Sequence, residues 1–364
     1  MVPIPLSPEL YARISSSLTG PTRRADLASL CLTSKALQHS AEPKLYETLA
    51  FGDAQTAYIA CRTLIQNPRL ALFVRTFWFS QDNSRSRHAV PLWPAVHAAL
   101  RRMHNLESLG LFDTTMGNGW VLDPEAGNGE DDGIKFQLRE AKLRFTWSAS
   151  LARFLAGQRK LQILFTCDRY SDTEGDAGSG LDLPALEMFD GMLSVAAHLG
   201  ASPMRHLQMA VDVEEVREFL GMLRGCLWKW RKTLRGVSIQ DLPEQWVLGA
   251  LAAVAETCPD LLHVGLFPLP LMNRHKLHRS LISMRYLRSI HVDITHWAPH
   301  HPAPPAQRAL AAELRVFCPS IRHVVFWIHG TRFRWMFSGG AAQEWRSAME
   351  TGRYPPMDSS WCSV

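Results

Sequence analysis

Few residues in this chain have the type and spacing that could do chemistry. His296, His300 and His301 lie in the Pro-rich run HWAPHHPAPPA. In a metalloprotease motif, helix geometry holds two imidazoles on one face. This run has neither helix geometry nor a cysteine beside it, so it reads as solvated loop histidines. Asp123 to Gly133 (DPEAGNGEDDG) is rich in carboxylates. It lacks the alternating Asp/Asn ladder and closing Glu of a calcium loop. Leu227 to Lys232 (LWKWRK) interleaves aromatics with cations, a pattern that can stack on nucleic acid. It reads instead as a helix end with the tryptophan faces packed and the lysines reaching water. No Gly-rich phosphate loop follows a strand, and no Gly-x-Ser-x-Gly or paired-carboxylate arrangement is present. The pattern argues for neither an enzyme nor a bound cofactor or metal.

Composition narrows the classes further. The chain has 364 residues, is 46% hydrophobic and carries a net charge of +5. That charge is unclustered, so it implies no nucleic-acid partner. No apolar run approaches the length of a membrane span, and no cationic segment precedes an apolar one at the N-terminus, so neither a span nor a signal peptide is expected. The 7 cysteines are scattered and never form a CxxC pair. They read as reduced thiols, which places the chain in the cytosol or nucleus.

The residues that remain suit recognition, and a repeated strand positions them. An apolar residue, two variable ones, then two apolar residues separated by a variable one recur as NLESLGLF, KLQILFTC, PMRHLQMA, TLRGVSIQ, DLLHVGLF, YLRSIHVD and SIRHVVFW. The anchors are Leu106, Leu161, Met204, Leu234, Leu261, Leu287 and Ile321, spaced 55, 43, 30, 27, 26 and 34 residues apart. Helical patterns fall between them, over Pro184 to Leu199, Val213 to Cys226, Pro243 to Thr257 and Pro305 to Phe317, and an earlier strand is expected over Val74 to Phe79. Strand, loop and helix alternating in this way predict an α/β solenoid with a parallel sheet, close in period to a leucine-rich repeat. A non-repetitive α/β domain with a parallel sheet is the other reading.

Alternation along each strand then sorts the faces. Leu109, Leu111, Leu164, Thr166, Val264, Leu266, Ile290, Val292, Val324 and Phe326 are expected in the core. The concave surface would carry Trp78, Phe112, Phe165, His206, His263, Phe267, His291, His323 and Trp327 as the substrate-binding row. Large rigid rings of this kind supply most of the energy of protein recognition. The acidic, Gly-rich segments Asp113 to Gly133 and Asp168 to Asp182 are expected as mobile loops at one edge.

The first fifty residues carry the strongest pattern. Leu6, Leu10, Ile14 and Leu18 form one stripe along a helix that has Pro8 in its first turn and Ser7 as N-cap. Gly20-Pro21 stops it. A second helix carries Leu27, Leu30, Cys31, Ser34 and Leu37, and a third, from about Ser40, brings Leu45, Tyr46 and Leu49. Three short helices bury little surface, so such a unit calls for a partner.

In order and spacing, Leu6, Pro8, Glu9, Leu10 and Ile14, then Asp26, Leu27, Leu30, Ser34 and Lys35, then Leu45 and Tyr46 resemble the F-box. Ser7 and Leu37 stand where that family commonly has a proline and an aromatic. The Cys-Pro openings at Cys258 and Cys318 resemble the cysteine-type leucine-rich repeats that often follow an F-box. The resemblance implies a small N-terminal three-helix F-box over 1–51, a leucine-rich-repeat-like solenoid over 52–336 and a tail over 337–364. It also implies the substrate-recognition subunit of a cullin-based (SCF-type) ubiquitin ligase. Pro8, Glu9, Leu10, Ile14, Leu27, Leu30 and Lys35 would dock a Skp-type adaptor bound to the cullin scaffold, and the repeats would hold a protein substrate. The rival reading is a repeat scaffold for protein interaction with no ligase role.

Overall fold

A computed structural model of the chain describes residues 7–80, 91–123, 133–169, 180–212, 217–297, 302–338 and 344–350. The expectations at Leu6, His300 and His301, in much of the two acidic segments and beyond residue 350 lie outside these residues. The chain divides into two compact units, one ending at Leu161 and the other beginning at Gln162.

The first unit opens with α1 (Pro8–Ser17), α2 (Arg23–Thr33) and α3 (Lys35–Tyr46). Pro8 takes the first helical position, where its missing N–H costs nothing. Ser7 caps with its backbone carbonyl, not its hydroxyl, accepting from Leu10 N at 3.0 Å. Ser34 does not extend the second helix. It adopts an extended conformation and its hydroxyl accepts from Leu37 N, so α3 starts five residues before the expected Ser40. There follow β1 (Thr48–Phe51), α4 (Ala54–Gln66), α5 (Pro68–Ala71), β2 (Thr76–Ser80), α6 (Leu92–Leu100), β3 (Ser108–Phe112), β4 (Glu140–Arg144) and α7 (Ala149–Ala156). The four strands pair in parallel and in chain order.

The second unit comprises β5 (Ile163–Phe165), β6 (Met188–Met192), α8 (Leu193–His198), β7 (His206–Ala210), α9 (Phe219–Trp230), β8 (Gly236–Gln240), α10 (Glu244–Thr257) and β9 (His263–Pro268). It continues through α11 (Arg274–Ser283), β10 (Ser289–Asp293), α12 (Pro304–Phe317), β11 (His323–Ile328), β12 (Thr331–Phe337) and β13 (Trp345–Glu350). Strands β5 to β11 run parallel in chain order, and β12 and β13 then add antiparallel. Part of the expected tail is therefore a strand. Sequential parallel pairing with right-handed crossovers puts the helices on one face of each sheet and leaves the other open.

The repeat is more regular than the sequence suggested. Leu138 with Ala141 and Leu143, and Leu186 with Phe189 and Gly191, complete the same pattern on β4 and β6. Their anchors are fully buried, as are Leu106, Leu161, Met204, Leu261, Leu287 and Ile321. These two repeats fill the long intervals of 55 and 43 residues. Within the helix expected over Pro184 to Leu199, Met188–Met192 is strand β6 and only Leu193–His198 (α8) is helical.

A second correction concerns β9. Leu266 takes φ 63 and pairing with β10 slips between Ile290 and Val292, so Phe267 lies opposite Val292. A one-residue slip exchanges faces. Phe267, expected on the concave surface, is 2% exposed in the core, and Leu266, expected in the core, is partly exposed.

Gly191 shows how closely β6 and its neighbour pack. A Cβ there would lie 2.5 Å from Thr166 Oγ1 and 3.0 Å from Thr166 O. Gly191→Ala is expected to lower unfolding free energy by about 1–3 kcal/mol through overpacking. Urea denaturation, with an unchanged slope, is the measurement.

Candidate interaction surfaces

Helix α1 turns its apolar side chains outward. Leu10 is 44% exposed and Ile14 38%. What α1 buries is Ser15, whose hydroxyl donates to Tyr11 O at 3.0 Å and lies 3.2 Å from Ser40 Oγ on α3. The apolar stripe of α1 is therefore open on its outer side. Pro8, Glu9 and Lys35 are exposed and Leu30 is half-buried. Leu27 is corrected from a surface position to a core one: it is 2% exposed and holds α2 from within. The Glu9 carboxyl is held below its usual range by its own backbone amide and the Ser7 hydroxyl.

On the open face of the first unit, Trp78 lies flat across the next strand. Gly110 pairs with it, and a Cβ on Gly110 would come 2.9 Å from the indole. Trp78 Nε1 donates to Ser108 Oγ at 3.2 Å, and Ser108 Oγ donates to Glu140 Oε2 at 2.7 Å. Lys142 Nζ sits 2.8 Å from Glu140 Oε1 and 5.0 Å from the indole centroid. The four side chains form a closed ring that fixes a half-buried indole beside a cation. Phe112, expected on this surface, is 6% exposed. Glu140 and Lys142 were missed because Ala141 disguised their strand, although Glu140, Lys142 and Arg144 alternate with Ala141 and Leu143 as a half-buried strand should, whereas Ser108 lies within the recognised pattern NLESLGLF.

On the open face of the second unit, Phe165, His206 and Trp327 are half-buried and His323 is exposed. His263 and His291 are buried, at 1% and 9%. The cause is lateral. Strands about 4.8 Å apart force side chains on one face into contact, and glycines let rings lie down. A Cβ at Gly236 would meet His206 Nδ1 at 3.0 Å, and one at Gly265 would meet His263 Nε2 at 2.7 Å. The His263 and His291 rings meet edge to face at 4.6 Å, and Ser238 Oγ lies 3.2 Å from His263 Nε2. Gln208 Nε2 donates to Asp190 Oδ2 at 2.8 Å, and the Arg332 guanidinium lies 4.4 Å over Trp327. The alternation of Arg332 and Arg334 with Phe333 and Trp335 could have revealed β12.

Three further sequence features find their places. In LWKWRK, Trp230 is buried as expected, but Trp228 is 63% exposed with Arg231 stacked on it at 3.7 Å. Lys229 turns inward to Ala197 O at 3.0 Å. Desolvation lowers its pKa. The first acidic segment begins as an ordered turn in which Asp113 accepts from the Thr115 and Asn118 amides. Burial pushes its carboxyl up, but these bonds and those of the Thr115 and Asn118 side chains hold it below the usual range. Cys258 and Cys318 are buried, and their thiols reach back to the preceding repeat, Cys318 Sγ lying 3.3 Å from Met284 O. Burial pushes Cys61 up to about 12 and Cys226 and Cys258 up to about 11. Among the described residues no group of three or more His, Cys, Asp or Glu could hold a metal. Among them, too, no helix is long and apolar enough to cross a membrane.

No family model matches the chain, and no curated protein matches it. Among solved structures, it is similar to one described as the crystal structure of the Rad7 and Elc1 complex in yeast. The identity is 12%, over 82% of this chain and 91% of that one, with a TM-score of 0.32. So loose a likeness transfers no role.

The buried imidazoles make stability pH-dependent. Desolvation, then the charge of His206, lowers His263 to about 3. Desolvation, then His263, Arg332, Arg334 and His323, holds His291 well below its ordinary value. The unfolded chain binds protons at both sites below about pH 6.5 while the folded chain does not, so stability rises with pH across that window and falls on acidification. Urea midpoints are expected to drop from pH 7.5 to 5, each imidazole contributing up to about 1.4 kcal/mol per pH unit below its unfolded pKa. A His263→Gln/His291→Gln variant should lose much of that slope.

Proposed function

We propose that this chain is a substrate-receptor subunit of a cullin-based ubiquitin ligase, with α1 docking a Skp-type adaptor and the open sheet faces holding a protein substrate. The observation that carries this reading is the orientation of α1: two aliphatic side chains face outward while a hydrogen-bonded serine faces in. An amphipathic helix with its apolar stripe uncovered gains by burying that stripe on a partner. The outward residues, Pro8, Glu9, Leu10 and Ile14, belong to the pattern that resembles the F-box, and Leu30 and Lys35 on the neighbouring helices complete the docking set. Leu27 supports them from inside.

Such a subunit carries no bond-making groups. It acts by tethering, because a substrate held beside the ubiquitin-loaded conjugating enzyme reacts at a raised effective concentration. On the substrate side, the Trp78 ring system offers an immobilised indole next to a cation, and Phe165, His206, His323 and Trp327 offer further accessible rings. Rings fixed before binding lose little entropy on association.

Leu10 and Ile14 are already half covered, so full burial adds about 1 kcal/mol each. Leu10→Glu/Ile14→Glu would also force two carboxylates into the interface. Adaptor affinity of the full chain, measured calorimetrically, is expected to fall at least about 100-fold. Thermal stability should change little, because both side chains are exposed. Absence of binding by the unaltered chain at micromolar adaptor overturns the proposal and leaves the scaffold reading.

A further inference from the structure

A cavity of about 400 Å3 opens where β10 and β11 begin, lined by Arg285, Arg288, Arg315, Arg322, Tyr286 and Ser320. Four arginines line it, and among the described residues no carboxylate does. Backbone geometry places two of them. Arg288 N donates to Leu262 O at 2.8 Å and Arg322 N donates to Arg288 O at 2.8 Å, so the two arginines occupy successive strand starts. Their Cα atoms are therefore about one strand spacing, roughly 4.8 Å, apart. Arg315 is held from two sides, donating from Nη1 to Ile321 O and stacking 3.7 Å over the Phe337 ring. Phe337 N in turn donates to Arg322 O at 2.8 Å, tying that ring to the same strand start.

Three other arginines that precede strands, Arg75, Arg139 and Arg205, each have a carboxylate within reach. Arg75 and Arg139 share Glu107, and Arg205 reaches Glu187 at 3.6 Å. Between Arg235 and Arg288 the corresponding residue is Leu262, which offers no charge. The positive potential extends to His323, where desolvation and then the Arg334 and Arg322 guanidiniums hold the imidazole below its ordinary range. Like charges gathered without a counter-charge suit a ligand of more than one negative charge, and guanidinium forks match phosphate oxygens.

We infer that this cavity binds a phosphate dianion, either free or carried as a phosphomonoester on another molecule. Its volume exceeds what phosphate needs and leaves room for the group that carries it. This site is independent of the adaptor docking proposed above.

The test is titration calorimetry of the full chain with inorganic phosphate, and with a phosphoserine peptide and its unphosphorylated counterpart, at low salt. Saturable binding of phosphate is expected, weakened at least about tenfold by Arg288→Ala/Arg322→Ala. Arg235→Ala, a strand-start arginine outside the cavity, should leave it unchanged. The affected side chains are exposed, and a thermal melt of each variant without phosphate reports folding. A phosphopeptide that binds at least about tenfold tighter than phosphate assigns the carried group, and equal affinity assigns the free anion. No saturable phosphate binding, or equal loss in the Arg235→Ala chain, overturns the inference.

Discussion

One backbone arrangement recurs along the parallel strands of both units: the carbonyl of the residue before a strand accepts two amides from the next strand. Arg75 O takes Glu107 N at 2.8 Å and Ser108 N at 3.0 Å, and Arg235 O takes Leu262 N at 2.8 Å and His263 N at 3.1 Å. Glu47, Glu107, Glu187, Arg205, Leu262 and Arg288 do the same. A carbonyl with two lone pairs can serve both donors, and the pairing locks register at the first residue of the strands that follow. Since side chains alternate with period two, that one constraint decides which residues face the helices and which face outward. It also lines up the side chains at the strand starts, which is why arginines distant in sequence converge.

The architecture was legible because the constraint leaves a trace. The buried anchor and the alternating pair recur wherever the pair is bulky, as at Leu109 and Leu111. The trace failed where packing demanded a small residue. Ala141 and Gly191 hold apolar positions that read as gaps, and so β4 and β6 were overlooked. It failed again at Leu266, since a bulge is fixed by backbone conformation, which residue type signals poorly.

The recognition surfaces were less legible for a different reason. A face assignment gives direction but not accessibility, and His263, His291 and Phe112 point to the expected side yet are covered by their neighbours. In the helical segment, periodicity identified the stripe of Leu10 and Ile14 but not its outward orientation, which depends on Ser15 meeting Ser40. The arginine cavity had no local signature, its four cations being spread from residue 285 to residue 322.

The glycines under Trp78, His206 and His263 give the open faces a property that loops cannot. Height above the sheet is set in the floor itself: a missing side chain sinks a ring, and a single added methyl group would lift it. The relief of these surfaces can thus be redrawn one position at a time, by changes in the floor and not in the rings themselves.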